Sequence, residues 1–129
     1  MNFVQITNTL NARLNALTNK PPIAWPNVPY TPVNGTLYLR ATILPANTET
    51  TTLASAGRHT GIYQVDVFAP NGQGELAANQ MADRIADHFA AQRNLSGLRI
   101  REISQQSADP ESARYQKIIT ITYDTHHTR

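Results

Sequence analysis

Residues 3–17 place Phe3, Ile6, Leu10, Leu14 and Leu17 at steps of three and four, with polar residues between them. That spacing is one apolar stripe on an α-helix. Asn2 is a cap for its start, and Asn19-Lys20-Pro21-Pro22 stops it. Five prolines, at 21, 22, 26, 29 and 32, exclude a helix or a central strand over 21–35. Trp25 and Tyr30 lie in this stiff segment, and we read them as pinning it to the body of the protein.

From residue 36 to 44 the period changes to two. Leu37, Leu39, Ala41 and Ile43 take one face, and Tyr38, Arg40 and Thr42 the other. The pattern predicts a half-buried strand ended by Pro45. Tyr63, Val65 and Val67 alternate with Gln64 and Asp66 to predict a second strand over 61–68. Between them, the Thr-, Ala- and Ser-rich stretch 46–58 reads as a long hairpin loop. Loops of that length without structure are uncommon and tend to be functional or disordered. Asn71-Gly72-Gln73-Gly74 turns the chain into a second amphipathic helix over 75–92, marked by Ala78, Met81, Ala82, Ile85 and Phe89. Asn94–Gly97 closes it. Strands are expected over 98–103 and 115–123, separated by a polar loop over 105–113, and 124–129 reads as a polar tail.

The expected order is α-β-β-α-β-β in one domain. Strands joined by loops pair as antiparallel hairpins. The expected fold class is therefore α+β, a four-stranded, mainly antiparallel sheet with two helices packed on one face. The other face is then polar, carrying Tyr38, Arg40, Thr42, Gln64, Asp66, Arg99, Arg101, Gln116, Ile118 and Thr120.

Composition narrows the function more than it defines it. A chain of 129 residues buries about two thirds of its unfolded surface, enough for one core. The net charge of +2 is too small to imply a nucleic-acid or membrane partner. Nine of the eleven basic residues are Arg, which suits planar contacts at protein interfaces. No Cys is present, which excludes disulfides and thiolate chemistry. No targeting segment is visible, and no apolar run is long enough to span a membrane.

Candidate chemistry is sparse. His126-His127 sits on the expected tail, His88 on a helix surface and His59 in a loop. No His pair has ligand spacing, so no metal or cofactor is expected. Asp83 and Asp87 share a helix face and read as solvated. Asp66 is read as a cross-strand partner of Arg40 or Arg101. The Ser residues lack a nucleophile-elbow pattern, and Gly72-Gln73-Gly74 lacks the rest of a phosphate loop. The residues themselves point to a non-enzyme, with a hydrolase around Asp66, His59 or Asp83/Asp87 as a minor alternative.

Three stretches carry a family resemblance. They are Ile23-Ala24-Trp25-Pro26-Asn27-Val28-Pro29-Tyr30, then Tyr38-Leu39-Arg40-Ala41-Thr42-Ile43-Leu44-Pro45-Ala46, then Gly61-Ile62-Tyr63-Gln64-Val65-Asp66-Val67-Phe68-Ala69-Pro70 followed by Gly72 and Gly74. Over residues 20–124 the chain resembles a family of small tailed-phage and prophage proteins, which is itself similar to the tail terminator of lambda-like siphophages. The resemblance implies an α+β subunit of a six-fold ring that caps the tail tube, ends its polymerisation and presents a surface to the head connector. It implies a virion location at the head–tail junction, assembly in the host cytoplasm, and DNA only as it passes through the lumen. Implied partners are further copies of the chain, the tube protein and the connector or neck proteins. A neck protein of the same particle and a monomeric binding domain are the competing readings.

A closed ring needs two different patches on each subunit. The expected inter-subunit residues are Tyr38, Arg40, Asp66, Arg99 and Arg101 on the sheet and Arg13 on the first helix. Glu49, Thr51, Arg58 and His59 of the 46–58 stretch are candidates for contact with the tube or the lumen.

Overall fold

The computed structural model describes residues 3–26, 28–31, 36–50, 57–69, 76–107 and 115–127, with side chains except at 45–50, 57–59, 115, 126 and 127. Asn2, Thr51, the 71–74 turn and most of the 105–113 loop lie outside the described residues.

Helix α1 spans Phe3–Asn15 and buries Ile6, Leu10 and Leu14. Phe3, the first residue of the expected stripe, remains 47% exposed. The helix tightens at its end, where the Leu17 N–H donates to the Leu14 carbonyl. Asn19 then takes a left-handed conformation (φ 53°), a common way to leave a helix. Helix α2 spans Leu76–Ala90 and buries Ala78, Ala82, Ile85 and Phe89. Its two buried alanines have no side-chain bulk to hold the helix axis away from the sheet.

The expected four-stranded sheet is corrected to six strands in one mixed sheet, and the element order is α-β-β-β-α-β-β-β. The strands are β1 (Ile23–Ala24), β2 (Tyr38–Thr50), β3 (Gly57–Ala69), β4 (Asn94–Leu95), β5 (Leu98–Ser107) and β6 (Tyr115–His127). Their spatial order is β1-β2-β3-β6-β5-β4. The two additional strands hold two residues each, too few to show a period. β1 runs parallel to β2, and the Pro22 carbonyl accepts from the Leu39 N–H. Proline is tolerated there because only an edge is involved. β4 and β5 form a tight hairpin whose turn residues Ser96 and Gly97 both have positive φ (55° and 98°). That is the turn geometry that matches strand twist.

All four long strands extend past their expected ends, and β5 runs to Ser107, into the expected 105–113 loop. β2 reaches Thr50 and β3 begins at Gly57, so residues 46–50 and 57–58 of the expected loop are strand, and 51–56 lie outside the described residues. β6 continues to His127, so residues 124–127 of the expected polar tail are strand. The alternating contacts with a neighbouring strand, not apolar content, sustain these polar ends.

Leu39, Ala41, Tyr63, Val65, Val67, Leu98, Ile100, Ile119, Ile121 and Tyr123 join the buried residues of both helices in one core cluster. Each fully buried Leu, Ile or Phe contributes roughly 1.5–3 kcal/mol. Trp25 packs against this cluster, as expected for an anchor of the proline-rich segment. Two bulges bend the sheet, between Pro45 and Asn47 in β2 and between Ile100 and Glu102 in β5. Each inserts an extra residue, which bends a strand and increases its twist. In β5 the bulge also keeps Ile103 on the core side, opposite Ile121.

Candidate assembly surface

The face of the sheet away from the helices is built by the second residue of each alternating pair. It divides into three zones. At one end, Tyr38 stacks on Phe68 with ring centroids 4.9 Å apart, and Tyr30 of the proline-rich segment tilts against Tyr38 at 5.1 Å. Arg40 lies over the Phe68 ring, 4.9 Å from its centroid, a cation–π arrangement. This cluster closes one end of the face, and Tyr38, one of the expected inter-subunit residues, is buried within it.

Asp66 belongs to the middle zone. It stands directly opposite Arg40 in the register, but among the described residues no ion pair joins them. Asp66 is only 4% exposed, and its Oδ1 accepts from Gln64 Nε2 at 2.9 Å. Gln64, two residues back on the same strand, takes the role expected for an arginine.

Asp124 dominates the far zone. Its side chain is 2% exposed, and its Oδ2 accepts from Arg101 Nη1 at 3.0 Å and Arg99 Nη2 at 3.5 Å. The arginine side chains themselves remain 61% (Arg99) and 45% (Arg101) exposed. The β5 bulge brings Arg101 to the carboxylate that Arg99 already faces across the strands. One buried anion thus orients two guanidinium groups whose outer faces are free to meet solvent or another molecule. Beside them, Thr60, Arg101, Glu102, Thr122 and Tyr123 line a shallow groove.

The remaining candidates fall elsewhere. Arg13 is drawn into the helix layer. Its Nη2 donates to the His88 carbonyl at 2.5 Å, and His88 Nε2 donates to the Arg13 carbonyl at 2.6 Å. Arg84 donates to the carbonyls of Thr18 and Asn19 beyond the end of α1. Each arginine thereby satisfies carbonyls at or just beyond the other helix's C-terminal end, where a cation is also favoured. Asp83 is not merely solvated, since its Oδ1 accepts from Gln105 Nε2. Glu49, Arg58 and His59 lie on the extended arms of β2 and β3, with Glu49 opposite Arg58, Thr48 opposite His59 and Arg58 opposite His126. Their side chains, and Thr51 entirely, lie outside the described residues.

Sequence reasoning placed Gln64 on this face without its bond to Asp66, and missed Asp124, Phe68 and Tyr30 as parts of it. The alternation Tyr123-Asp124-Thr125 continues that of 115–123 and is the signal that would have placed Asp124 in the strand. Among the described residues, no cluster of three His, Asp or Glu is placed to hold a metal, and no helix is long and apolar enough to cross a membrane.

The protein is thus a helix-backed mixed sheet whose outer face carries exposed arginines beside buried carboxylates. The chain belongs to the phage tail terminator family, whose model, described as phage tail terminator protein, matches residues 5–123. The family is structural, not catalytic, and belongs to the virion tail, where its members contact other tail components. One solved structure is 30% identical, with a TM-score of 0.74, over 100% of this chain and 99% of its own. No curated protein matches the chain.

Proposed function

We propose that copies of this chain close into a six-fold ring on the tail tube, stop its polymerisation and offer a joining surface to the head connector. The match to the terminator family over residues 5–123 carries this reading. The fold is compatible with it. Ring closure requires two unlike patches per subunit, and the sheet has two unlike edges, with different strands at each. Among the described residues, Arg40, Arg99 and Arg101 are the exposed cations of the outer face, and they are assigned to contacts with neighbouring subunits or the connector. The extended arms of β2 and β3, with Glu49, Arg58 and His59, and the 51–56 connection with Thr51 are assigned to the tube or the lumen, through which DNA passes. Assembly takes place in the host cytoplasm, and the finished ring stays at the head–tail junction.

Termination follows from surface mismatch: one side of the ring fits the last ring of the tube, and the other side does not accept tube protein. No catalytic step is assigned. Light scattering tests the ring: a species about six times the 14.3 kDa of one chain is expected. Co-sedimentation tests the partner. Binding to isolated tail tubes but not to filled heads supports the terminator, whereas binding to filled heads alone would make it a neck protein.

A further inference from the structure

The two edges of the sheet are capped over only two residues each. β1 covers Leu39 and Arg40 of β2, and β4 covers Leu98 and Arg99 of β5. Beyond these caps, among the described residues, neither β2 from Ala41 nor β5 from Arg101 has a further strand beside it. Exposed edges are normally blunted by charge, proline or cover. Here the free stretches Ala41-Thr42-Ile43-Leu44 and Ile103-Ser104-Gln105-Gln106 carry no charge.

The direction of the backbone groups follows from the caps. The Leu39 N–H points outward to Pro22, so alternation turns the N–H and C=O of Ala41 and Ile43 outward too. On the other edge, the Ile100 N–H points outward to Arg93. After the one-residue bulge, Ile103 and Gln105 take the outward positions. The side chains match as well. Ile43 and Ile103 are both partly buried and pack against the core from opposite edges. Gln105 lies on that same helix side, where it reaches Asp83.

We infer that the free edge of β2 pairs antiparallel with the free edge of β5 of the next copy, aligning Ala41 with Gln105 and Ile43 with Ile103. β2 and β5 run in opposite directions within the sheet, so a rotated copy placed alongside meets the first with antiparallel polarity. Outward backbone groups then meet outward backbone groups. Helix-side residues meet helix-side residues, and Ile43 and Ile103 complete each other's burial. The pairing is head-to-tail, the kind that closes into rings. This inference rests on the ring reading and names the contact that builds the ring.

In this register Thr42 faces Ser104 as a non-hydrogen-bonded pair, the closer kind and within disulfide reach. Within one chain the two positions are three strand spacings apart, roughly 14 Å, too far to bridge. The chain has no Cys, so the Thr42→Cys/Ser104→Cys double variant is a clean probe. Mild oxidation should give a ladder of covalent multimers in denaturing electrophoresis, while either single variant stops at dimers. The Leu44→Cys/Glu102→Cys variant reports the same register and replaces the first pair if that one folds poorly. An oligomer by light scattering without a ladder from either pair overturns the edge pairing and leaves the ring. A monomer with no ladder overturns both.

Discussion

Tyr123 lies directly across from Gly61 at the row where both outer long strands carry their bulges. A Cβ built on Gly61 would stand 2.5 Å from the Tyr123 hydroxyl oxygen, 2.8 Å from the ring carbon that bears it and 2.9 Å from the Leu44 carbonyl oxygen. The glycine therefore makes room for a buried ring where the sheet bends, a recognised use of glycine within strands. Gly61→Ala is expected to destabilise the fold by about 1–3 kcal/mol, the usual range for overpacking. Thermal denaturation checks this. An unchanged melting temperature would mean that the ring moves aside freely.

The exchange of hydrogen bonds between Arg13 and His88 makes a second prediction. Arg13→Ala removes a charge-assisted bond to the His88 carbonyl, for an expected loss of about 1–2 kcal/mol. Because this residue joins α1 to α2, the folded variant should still assemble. Loss of assembly with wild-type stability would instead assign Arg13 to a subunit interface.

Two tyrosines predict the alkaline limit of stability. Burial raises Tyr63 well above its ordinary 10.0, and it also raises Tyr123. Tyr63 additionally donates to Asn11 Oδ1 at 2.7 Å, which needs the protonated phenol. Above pH about 10 the unfolded chain loses these protons while the native state keeps them. Stability then falls as pH rises, because the native state binds more protons than the unfolded one. Denaturant titrations should show no contribution from these groups below pH 9 and a decline above pH 10. Tyr63→Phe should lessen the decline, and an identical decline in that variant would contradict the assignment.

Asp124 and its two arginines separate folding from assembly. Asp124→Ala removes the buried acceptor that orients both guanidinium groups, and should cost about 1–3 kcal/mol. Arg99→Ala should cost less than 1 kcal/mol, because its contact is longer and its side chain is largely in water. If the outer face meets a partner, Arg99→Ala/Arg101→Ala folds but gives over-long tubes or unjoined tails. Joined tails of normal length in that variant would remove the arginines from the interface.

Both helices and the four long strands were legible because Ile6, Leu10 and Leu14 repeat every three to four residues and Tyr63, Val65 and Val67 every two. What was hidden has physical causes. β1 and β4 are too short for a period. The ends of β2, β3 and β5 are polar on both faces, so Thr48 or Gln106 carries no burial pattern although each has a strand partner. Arg13 looked like a surface residue because nothing in the chain tells which helix will lie beside it. Asp66 looked like a partner for Arg40 and stands opposite it, yet the Phe68 ring draws the guanidinium away. The prolines between 21 and 32 marked an extended segment and its aromatics marked the anchors, with Trp25 on the core as expected, but not that Tyr30 would meet Tyr38 on the outer face.

The central claim is that this chain ends tube growth. Purified tube protein polymerised with increasing amounts of it, with tube lengths measured by negative-stain electron microscopy, tests that directly. The account predicts shorter, capped tubes with a ring at one end, and a length that falls as the ratio of this chain to tube protein rises. An unchanged length distribution, with no copy of the chain on the tubes, would contradict it.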